Sequence, residues 1–238
     1  MKISVCLATY NGEKYIYKQI ESIISQLGKN DEIIISDDSS NDKTIEIIKT
    51  FKDERIRIFC DNTFFSPIYN IENAIKNASG EIIVLSDQDD IWLDNKIQII
   101  NDRFRKNQTR PLTLVLDGII IDEDGKVLAP SIFEWLRSGK GLIKNIVKNT
   151  YMGCCMAFSR DLLKKILPFP RGIPMHDVWI GLVSELYGRV EFVAEKTLLY
   201  RKHGMNKSFQ KVSLCQKIKW RWVLIWNLLI KAKKTPFP

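Results

Sequence analysis

Three short segments near the start of the chain have apolar centres: ISVCLAT at 3–9, EIIISD at 32–37 and EIIVLS at 81–86. Strands that are apolar at nearly every position must be covered on both faces, as in parallel sheets. Between these segments, isoleucines such as Ile16 and Ile20 recur at the spacing of one helix face. This alternation predicts an α/β fold with a mostly parallel sheet flanked by helices.

The same patterns predict the other elements of the chain. The further predicted strands are 55–60, 112–121, 126–128, 151–159 and 190–201, and the further predicted helices are 13–27, 45–51, 71–78, 133–149, 160–167 and 177–187.

The charge is unevenly distributed along the chain, whose net charge is +8. Residues 196–238 contain 11 lysines and arginines and no acid, so the preceding residues carry 25 basic against 28 acidic side chains. A basic tail on a mildly acidic body indicates an anionic partner: membrane lipid, nucleic acid or a phosphate ligand.

The five cysteines are an odd number without CxxC spacing, which predicts free thiols in a reducing compartment rather than disulfides or a zinc site. The N-terminus lacks the long apolar stretch of a signal peptide, and we expect it to form the first strand. No apolar run approaches the ~20 residues of a membrane span. These features favour a cytoplasmic location.

Polar and acidic side chains follow three of the predicted strands, in ATYNG at 8–12, SDDSS at 36–40 and SDQDD at 86–90. In open α/β sheets, ligands bind beyond the carboxyl ends of the strands. Neither a GxGxxG nor a Walker A motif is present to hold phosphate. Asp87 and Asp89 alternate along an extended chain and can share one Mg²⁺ or Mn²⁺, which prefer carboxylate oxygens.

Five motifs together resemble family 2 glycosyltransferases with the glycosyltransferase-A fold. They are SVCLATYNG, IIISDDSSNDKT, LSDQDDIW, HDVW at 176–179 and LLYRKHGMN at 198–206, and they occur in the family's order. The resemblance covers residues 3–206 and is strongest to the bacterial rhamnosyltransferase-like subgroup. It implies a nucleotide-binding sheet of mostly parallel strands, here followed by a basic, aromatic helical extension.

The resemblance also implies roles for individual residues. The implied nucleotide-sugar site comprises Thr9, Tyr10, Asn11, Asp38, Asp87, Arg201 and His203. Asp89 would be the main ligand of Mn²⁺ or Mg²⁺, with Asp87 shared between metal and ribose. Asp177 resembles the base that takes a proton from the acceptor hydroxyl during an inverting transfer. The residues implied for the acceptor pocket are Gly153, His176 and Trp179.

Simpler interpretations remain open for several of these residues. Asp177 is also the kind of acid that stabilises a helix N-terminus. Gly153 is equally compatible with a β-bulge, and Trp92 with packing in the core. A histidine on a loop, such as His203, is commonly solvated.

The resemblance predicts an inverting, metal-dependent enzyme. It would move a sugar from a UDP- or dTDP-sugar to a hydroxyl of a glycan or lipid-linked acceptor in bacterial surface polysaccharide synthesis. We expect a catalytic domain at 1–207, with a nucleotide-sugar half at 1–92 and an acceptor half at 93–207, followed by a tail at 208–238. The alternative is a non-enzymatic module that binds an anionic ligand or nucleic acid.

The tail segment 216–234 contains three tryptophans between basic ends and is predicted to be helical. Tryptophan and lysine at helix ends are typical of a bilayer interface. We therefore expect peripheral attachment to the inner face of the cell membrane, and no nucleic-acid partner. The alternative is a helix that packs on the catalytic domain or on a second subunit of a homodimer.

Overall fold

A computed structural model describes residues 1–107, 111–204 and 212–234 of the protein. Its strands pair into one nine-stranded sheet flanked by helices. The strands are β1 Ile3–Thr9, β2 Glu32–Asp37, β3 Ile56–Phe59, β4 Ile82–Ser86, β5 Ile91–Trp92, β6 Leu112–Ile121, β7 Val127–Ala129, β8 Met156–Ser159 and β9 Arg189–Arg201. The α-helices are α1 Ile16–Ile24, α2 Thr44–Thr50, α3 Pro67–Asn77, α4 Lys96–Lys106, α5 Ile132–Leu136, α6 Leu142–Val147, α7 Leu163–Ile166, α8 His176–Tyr187 and α9 Leu214–Lys234.

The strand order is β3-β2-β1-β4-β8-β6-β9-β5, with β7 paired to β6. The first four strands in this order are parallel, so the ends of β1, β2 and β4 meet at one edge of the sheet. The second half of the chain adds β8 antiparallel to β4, β6 antiparallel to β8, and β9 parallel to β6. The predicted fold class is therefore confirmed, as a mixed sheet whose first half is parallel.

The core forms where the predicted apolar strands meet the predicted helices. Val5, Ile34 and Val84 are fully buried in neighbouring strands, and Ile16 and Ile20 of α1 are fully buried in the same apolar core. At about 25 cal/mol per Å² of apolar surface removed from water, this burial is the main stabilising contribution to the fold.

The region 133–149 is not the single helix that its pattern predicts. Helix α5 ends at Leu136, because Arg137 adopts a left-handed conformation at φ 57°, and α6 begins only at Leu142. Gly141 precedes α6 with φ 128°, a backbone conformation that glycine adopts without a steric penalty. Two short helices joined by a glycine-containing turn replace the predicted one.

The predicted strand 151–159 is also shorter than expected. Its first part forms a 3-10 turn at Gly153–Cys155, and pairing to the sheet begins at Met156. Two elements were not predicted from the sequence, the two-residue strand β5 and helix α4. Both follow directly after the acidic segment at 86–90 and form one wall of the site described below.

Helix α9 packs on the rest of the structure through one face. Leu224 and Leu228 are buried there, and the Arg221 guanidinium donates a 2.7 Å hydrogen bond to the carbonyl of Val147 in α6. The predicted tail helix is therefore present. None of the helices in the described parts of the chain combines the length and the apolar character that crossing a bilayer requires.

Candidate active site

Three aspartates crowd the turn after β4, where Asp87 and Asp89 are half-buried and Asp90 is buried. Burial, followed by the charges of Asp89 and Asp177, raises the pKa of Asp87 to about 7. Burial and the neighbouring carboxylates likewise raise the pKa of Asp90 well above its usual range. Carboxylates that repel one another in a buried turn need a cation to ionise together.

One oxygen of this cluster has no protein partner. The Asp90 Oδ2 atom is buried and accepts no hydrogen bond from the described residues. An unsatisfied buried carboxylate oxygen is costly, and hard divalent cations prefer such oxygens. The cluster therefore fits Mg²⁺ or Mn²⁺, with Asp87 and Asp89 as the predicted ligands.

The end of β9 closes over the acidic cluster from the other side. The backbone N–H of Arg201 donates to Asp90 Oδ1 at 3.1 Å, and its Nε donates to the carbonyl of Asp89 at 3.2 Å. The His203 Nε2 atom lies 2.6 Å from Asp89 Oδ2, and its ring stacks on Tyr15 at 5.3 Å between centroids. The structure thus brings both predicted residues to the cluster, Arg201 at the end of β9 and His203 just after it.

Asp177 lies in the first turn of α8, where its Oδ1 accepts hydrogen bonds from the Val178 N–H and from the Asn149 side chain at 3.2 Å. Burial raises its pKa to about 7, although these hydrogen bonds act in the opposite direction. Its charge also raises the pKa of Asp87, so the two carboxylates are close enough to interact electrostatically. A carboxylate with a pKa near neutrality is well suited to act as a general base.

Two residues behind the cluster were not predicted from the sequence. The Lys96 ammonium is fully buried and donates a 2.8 Å hydrogen bond to the carbonyl of Cys154. The Cys154 thiol lies within 4.8 Å of the nearest carboxylate oxygens of Asp87 and Asp90. A lysine in a helix next to polar residues is normally solvated, so this burial could not be expected from the sequence.

The ends of β1 and β4 are joined by a pair of amide hydrogen bonds. Gln88 accepts from the Tyr10 N–H at 2.9 Å and donates to the Tyr10 carbonyl at 3.0 Å. The Tyr10 ring is 55% exposed and available to stack on a base, whereas Thr9 is buried and donates to Asp37. Asn11 adopts a positive φ of 48°, which turns the chain away from the sheet.

Asp38 is buried and holds a neighbouring loop. Its two carboxylate oxygens accept hydrogen bonds from the backbone N–H groups of Phe64, at 2.6 Å, and Ser66, at 3.0 Å. These contacts give Asp38 a clear structural role at the edge of the sheet. Its contact with the base of a nucleotide stays a prediction.

The three residues predicted for the acceptor pocket differ in their surroundings. A Cβ atom on Gly153 would lie 2.5 Å from the His176 Nε2 atom, so only glycine permits this close packing. His176 is buried, which lowers its pKa to about 4, and its Nδ1 atom has no partner among the described residues. Trp179 is fully buried and donates to the carbonyl of Ile166 at 2.9 Å, which favours a packing role.

Comparisons with known proteins agree with this geometry. The profile described as Glycosyl transferase family 2 matches residues 4–167. The UDP-Glc:alpha-D-GlcNAc-diphosphoundecaprenol beta-1,3-glucosyltransferase WfgD of Escherichia coli is 27% identical over 189 residues, covering 77% of this chain and 70% of that protein. The dTDP-rhamnosyl transferase RfbG of Shigella flexneri is 27% identical over 238 residues, covering 90% and 77%.

Two solved structures share the fold. S. aureus TarS 1–349 in complex with UDP-GlcNAc has a TM-score of 0.77 at 19% identity, covering 96% of this chain and 67% of that one. The mannosyltransferase PcManGT from Pyrobaculum calidifontis, in complex with GDP-Man and Mn²⁺, has a TM-score of 0.61 at 15% identity, covering 97% and 73%. The profile match spans well over half of the sequence, and the chain therefore belongs to glycosyltransferase family 2.

Proposed function

We propose that the protein transfers a sugar from a UDP- or dTDP-sugar to a hydroxyl group of a glycan or lipid-linked acceptor, with inversion of the anomeric carbon. One observation carries this proposal: Asp177, a buried carboxylate with a pKa of about 7, interacts electrostatically with Asp87 of the acidic cluster. Relatives named for UDP-Glc, a diphosphoundecaprenol-linked acceptor and dTDP-rhamnosyl transfer support the donor and acceptor classes. Membership of the family favours this enzyme over a non-enzymatic binding module.

The proposed reaction is a single displacement. The acceptor oxygen attacks the anomeric carbon of the donor sugar as the bond from that carbon to the diphosphate oxygen breaks. The nucleoside diphosphate leaves with the electron pair of the broken bond, and Asp177 takes the proton of the acceptor hydroxyl. Asn149 orients the base by donating to its Oδ1, which leaves the second oxygen for the acceptor.

The residues at the strand ends would hold the donor. The exposed Tyr10 ring and the backbone around Asn11 and Asp38 would contact the base, as the family resemblance implies. A divalent cation, held by Asp89 and Asp87, would supply charge that stabilises the departing diphosphate. His203, at 2.6 Å from Asp89, would orient that carboxylate.

The donor proposal can be tested by thermal unfolding of the protein with a panel of nucleotide-sugars, with and without Mn²⁺. A ligand that binds only the folded state raises the melting temperature. We expect a UDP- or dTDP-sugar to raise it in the presence of Mn²⁺, and Asp89→Ala to remove most of that shift. Asp94→Ala, an exposed acid five residues further on, is the matched control. No response to any pyrimidine nucleotide-sugar would contradict the proposal.

We further propose that α9 rests on an anionic membrane surface. Ile218, Trp222, Trp226 and Leu229 follow helical spacing and are all exposed, the two tryptophans at 67% and 63%. They lie on the side opposite the packed face of the helix, and exposed lysines flank them, as at Lys219. Tryptophan beside lysine suits the headgroup region of a bilayer that contains anionic lipid.

Sedimentation with vesicles tests this attachment. We expect the protein to bind vesicles of phosphatidylcholine mixed with phosphatidylglycerol, and the double variant Trp222→Ser, Trp226→Ser to lose that binding. Trp135→Ser, a partly exposed tryptophan outside the tail, is the control. Equal binding of the double variant, or a tryptophan-dependent dimer without lipid, would contradict membrane attachment.

A further inference from the structure

One side of helix α8 presents three residues at intervals of four positions: Asp177, Gly181 and Glu185. Residues at this spacing lie on the same face of an α-helix, one turn apart. The segment 141–151, which contains α6, contacts each of the three residues. It therefore covers α8 along the whole length between the candidate base and Glu185.

We propose that Tyr151 is a positioning residue, which fixes Asn149 against the carboxylate of Asp177 and so sets the direction in which that carboxylate meets the acceptor. The inference rests on the proposed function, because it takes Asp177 as the base. It adds Tyr151 and Glu185 to the residues on which the reaction depends, and both act through Asn149.

The ring of Tyr151 lies directly on α8. A Cβ atom on Gly181 would lie 2.4 Å from the Cδ2 atom of this ring, so glycine is required for the ring and the helix to come so close. Tyr151 is 3% exposed, and its ring also packs on Phe192 of β9, at 6.0 Å between the centroids. The ring is therefore held between the helix and the sheet.

The hydroxyl of Tyr151 attaches the segment to Glu185. It donates a hydrogen bond to the Glu185 carboxylate, whose two oxygens also accept from the backbone N–H of Gly141 at 2.9 and 3.1 Å. Burial, followed by the hydrogen bond to Glu185, raises the pKa of Tyr151, so the hydroxyl keeps its proton and remains a donor. Glu185 thus holds both ends of the segment 141–151 to the same helix.

Asn149 connects Tyr151 to the base. Its Oδ1 accepts from the backbone N–H of Tyr151 at 3.0 Å, and its Nδ2 donates to the Tyr151 carbonyl at 3.3 Å and to Asp177 Oδ1 at 3.2 Å. A reversed amide would place its NH₂ group against an N–H and its oxygen against two oxygens, so these partners fix its orientation. A shift of the Tyr151 backbone would therefore move the amide that holds Asp177.

Asn145 makes the segment move as a unit. Its Oδ1 accepts from the N–H and the hydroxyl of Thr150, at 3.0 and 2.8 Å, and its Nδ2 donates to the carbonyls of Gly139 and Gly141, at 3.0 and 3.1 Å. Asn145 is buried, so these hydrogen bonds are shielded from water. The start and the end of the segment are thereby joined, and the contact with Glu185 sets the position of both.

Steady-state kinetics of Tyr151→Phe test the proposal, because this change removes the hydroxyl and keeps the ring on Gly181. The donor is a UDP- or dTDP-sugar, and the acceptor is a synthetic lipid that carries a sugar diphosphate. We expect kcat to fall about tenfold with the donor KM unchanged, since a misplaced base slows proton transfer without weakening donor binding. Tyr187→Phe, at another buried tyrosine of α8, is the matched control and should keep the kcat of wild type.

A double-mutant cycle separates positioning from a general loss of stability. If Tyr151 acts through Asn149, Tyr151→Phe should lower kcat no further in a protein that already carries Asn149→Ala. All variants are compared well below their Tm. Losses that multiply in the double variant, or a normal kcat in Tyr151→Phe, would overturn the proposal. If Tyr151→Phe does not fold, Glu185→Gln takes its place in the same cycle, with the same expectation and the same contradicting result.

Hydrogen exchange tests the contact without any substrate. The N–H of residue 151 donates to Asn149, and its exchange, measured by NMR, should become about tenfold faster in Tyr151→Phe and stay unchanged in Tyr187→Phe. Equal exchange in wild type and Tyr151→Phe would overturn the proposal. If wild type transfers no sugar, the proposed function fails, and the exchange rates alone decide whether Tyr151 fixes Asn149.

Discussion

Two acidic clusters follow β2 and β4, the strands on either side of β1, yet their surroundings are opposite. Each oxygen of Asp37 and Asp38 accepts a hydrogen bond from the protein. At the end of β4, Asp90 has a buried oxygen without a partner among the described residues, and burial, followed by the neighbouring carboxylates, raises the pKa of both Asp90 and Asp87. Asp37 and Asp38 therefore have their hydrogen bonds within the protein, whereas the acids after β4 leave a carboxylate oxygen that fits a cation.

This contrast shows what separates a structural acid from a ligand-binding one. SDDSS and SDQDD are similar as sequences, and both follow apolar strands. Serine and threonine hydroxyls and backbone N–H groups of the turn lie within reach of Asp37 and Asp38. The acids after β4 instead lie beside the end of β9 and the buried thiol of Cys154. The availability of hydrogen-bond donors to the carboxylate oxygens, rather than the number of acidic residues, decides which turn is suited to a metal.

The largest expected effect comes from the acids after β4. Asp89→Ala should lower kcat/KM by about 1000-fold or more, because several kcal/mol of stabilisation of the leaving diphosphate depend on the cation. Steady-state kinetics in saturating Mn²⁺ measure this loss, with Asp94→Ala as control. Activity that persists in the variant, or in wild type with a chelator, would contradict the claim that the acids after β4 act through a bound cation.

The second effect concerns the base. Asp177→Asn should lower kcat by about 100-fold or more while donor binding is retained, since general base catalysis contributes ~10²–10⁴-fold. Single-turnover kinetics and a donor titration separate the two quantities. A variant with normal kcat and weakened donor binding would assign Asp177 to binding instead of proton transfer.

The third effect should appear in stability rather than in activity. Asp37→Asn removes charge-assisted hydrogen bonds with Thr9 and Ser40 and should lower the free energy of unfolding by about 2 kcal/mol. Urea denaturation measures the loss, and the Mn²⁺-induced rise in melting temperature should remain. If the variant loses its Mn²⁺ response, Asp37 belongs with the cation-binding acids.

The smallest effect is a shift in pH dependence. The base must be ionised to act, so activity should fall as pH drops below the Asp177 pKa of about 7. The Asn149 hydrogen bond lowers that pKa, and Asn149→Ala should therefore move the acidic limb upward by about half a pH unit. The pH profile of kcat measures this limb, and the exposed Asn30→Ala variant should leave it in place.

The sequence allowed much of the first half of the fold to be predicted. Buried parallel strands and amphipathic helices leave strong patterns, and β1 and β2 were predicted with their actual bounds. The pattern of the second half is weaker, because α5 and α6 are short and end through backbone conformations such as that of Arg137. Strand β5 has only two residues, too few for any periodicity.

The candidate site was predictable where a motif carried it and not where tertiary packing created it. The acids at 87–90, Asp177 and the β9 residues followed from the family resemblance, and the structure brings them together. Lys96 gave no such signal, because its burial depends on how α4 lies against the turn at Cys154. The predicted roles of Asp38 and His176 still await a ligand-bound state.

The pairing of β9 with the acidic turn has a consequence for the order in which the molecule is built. The Arg201 N–H and its acceptor Asp90 are 111 positions apart, and His203 lies 114 positions after Asp89. During synthesis the turn emerges early and remains without these partners until β9 has been made. Contacts this distant in sequence form slowly, so the catalytic centre is among the last parts of the nascent protein to mature.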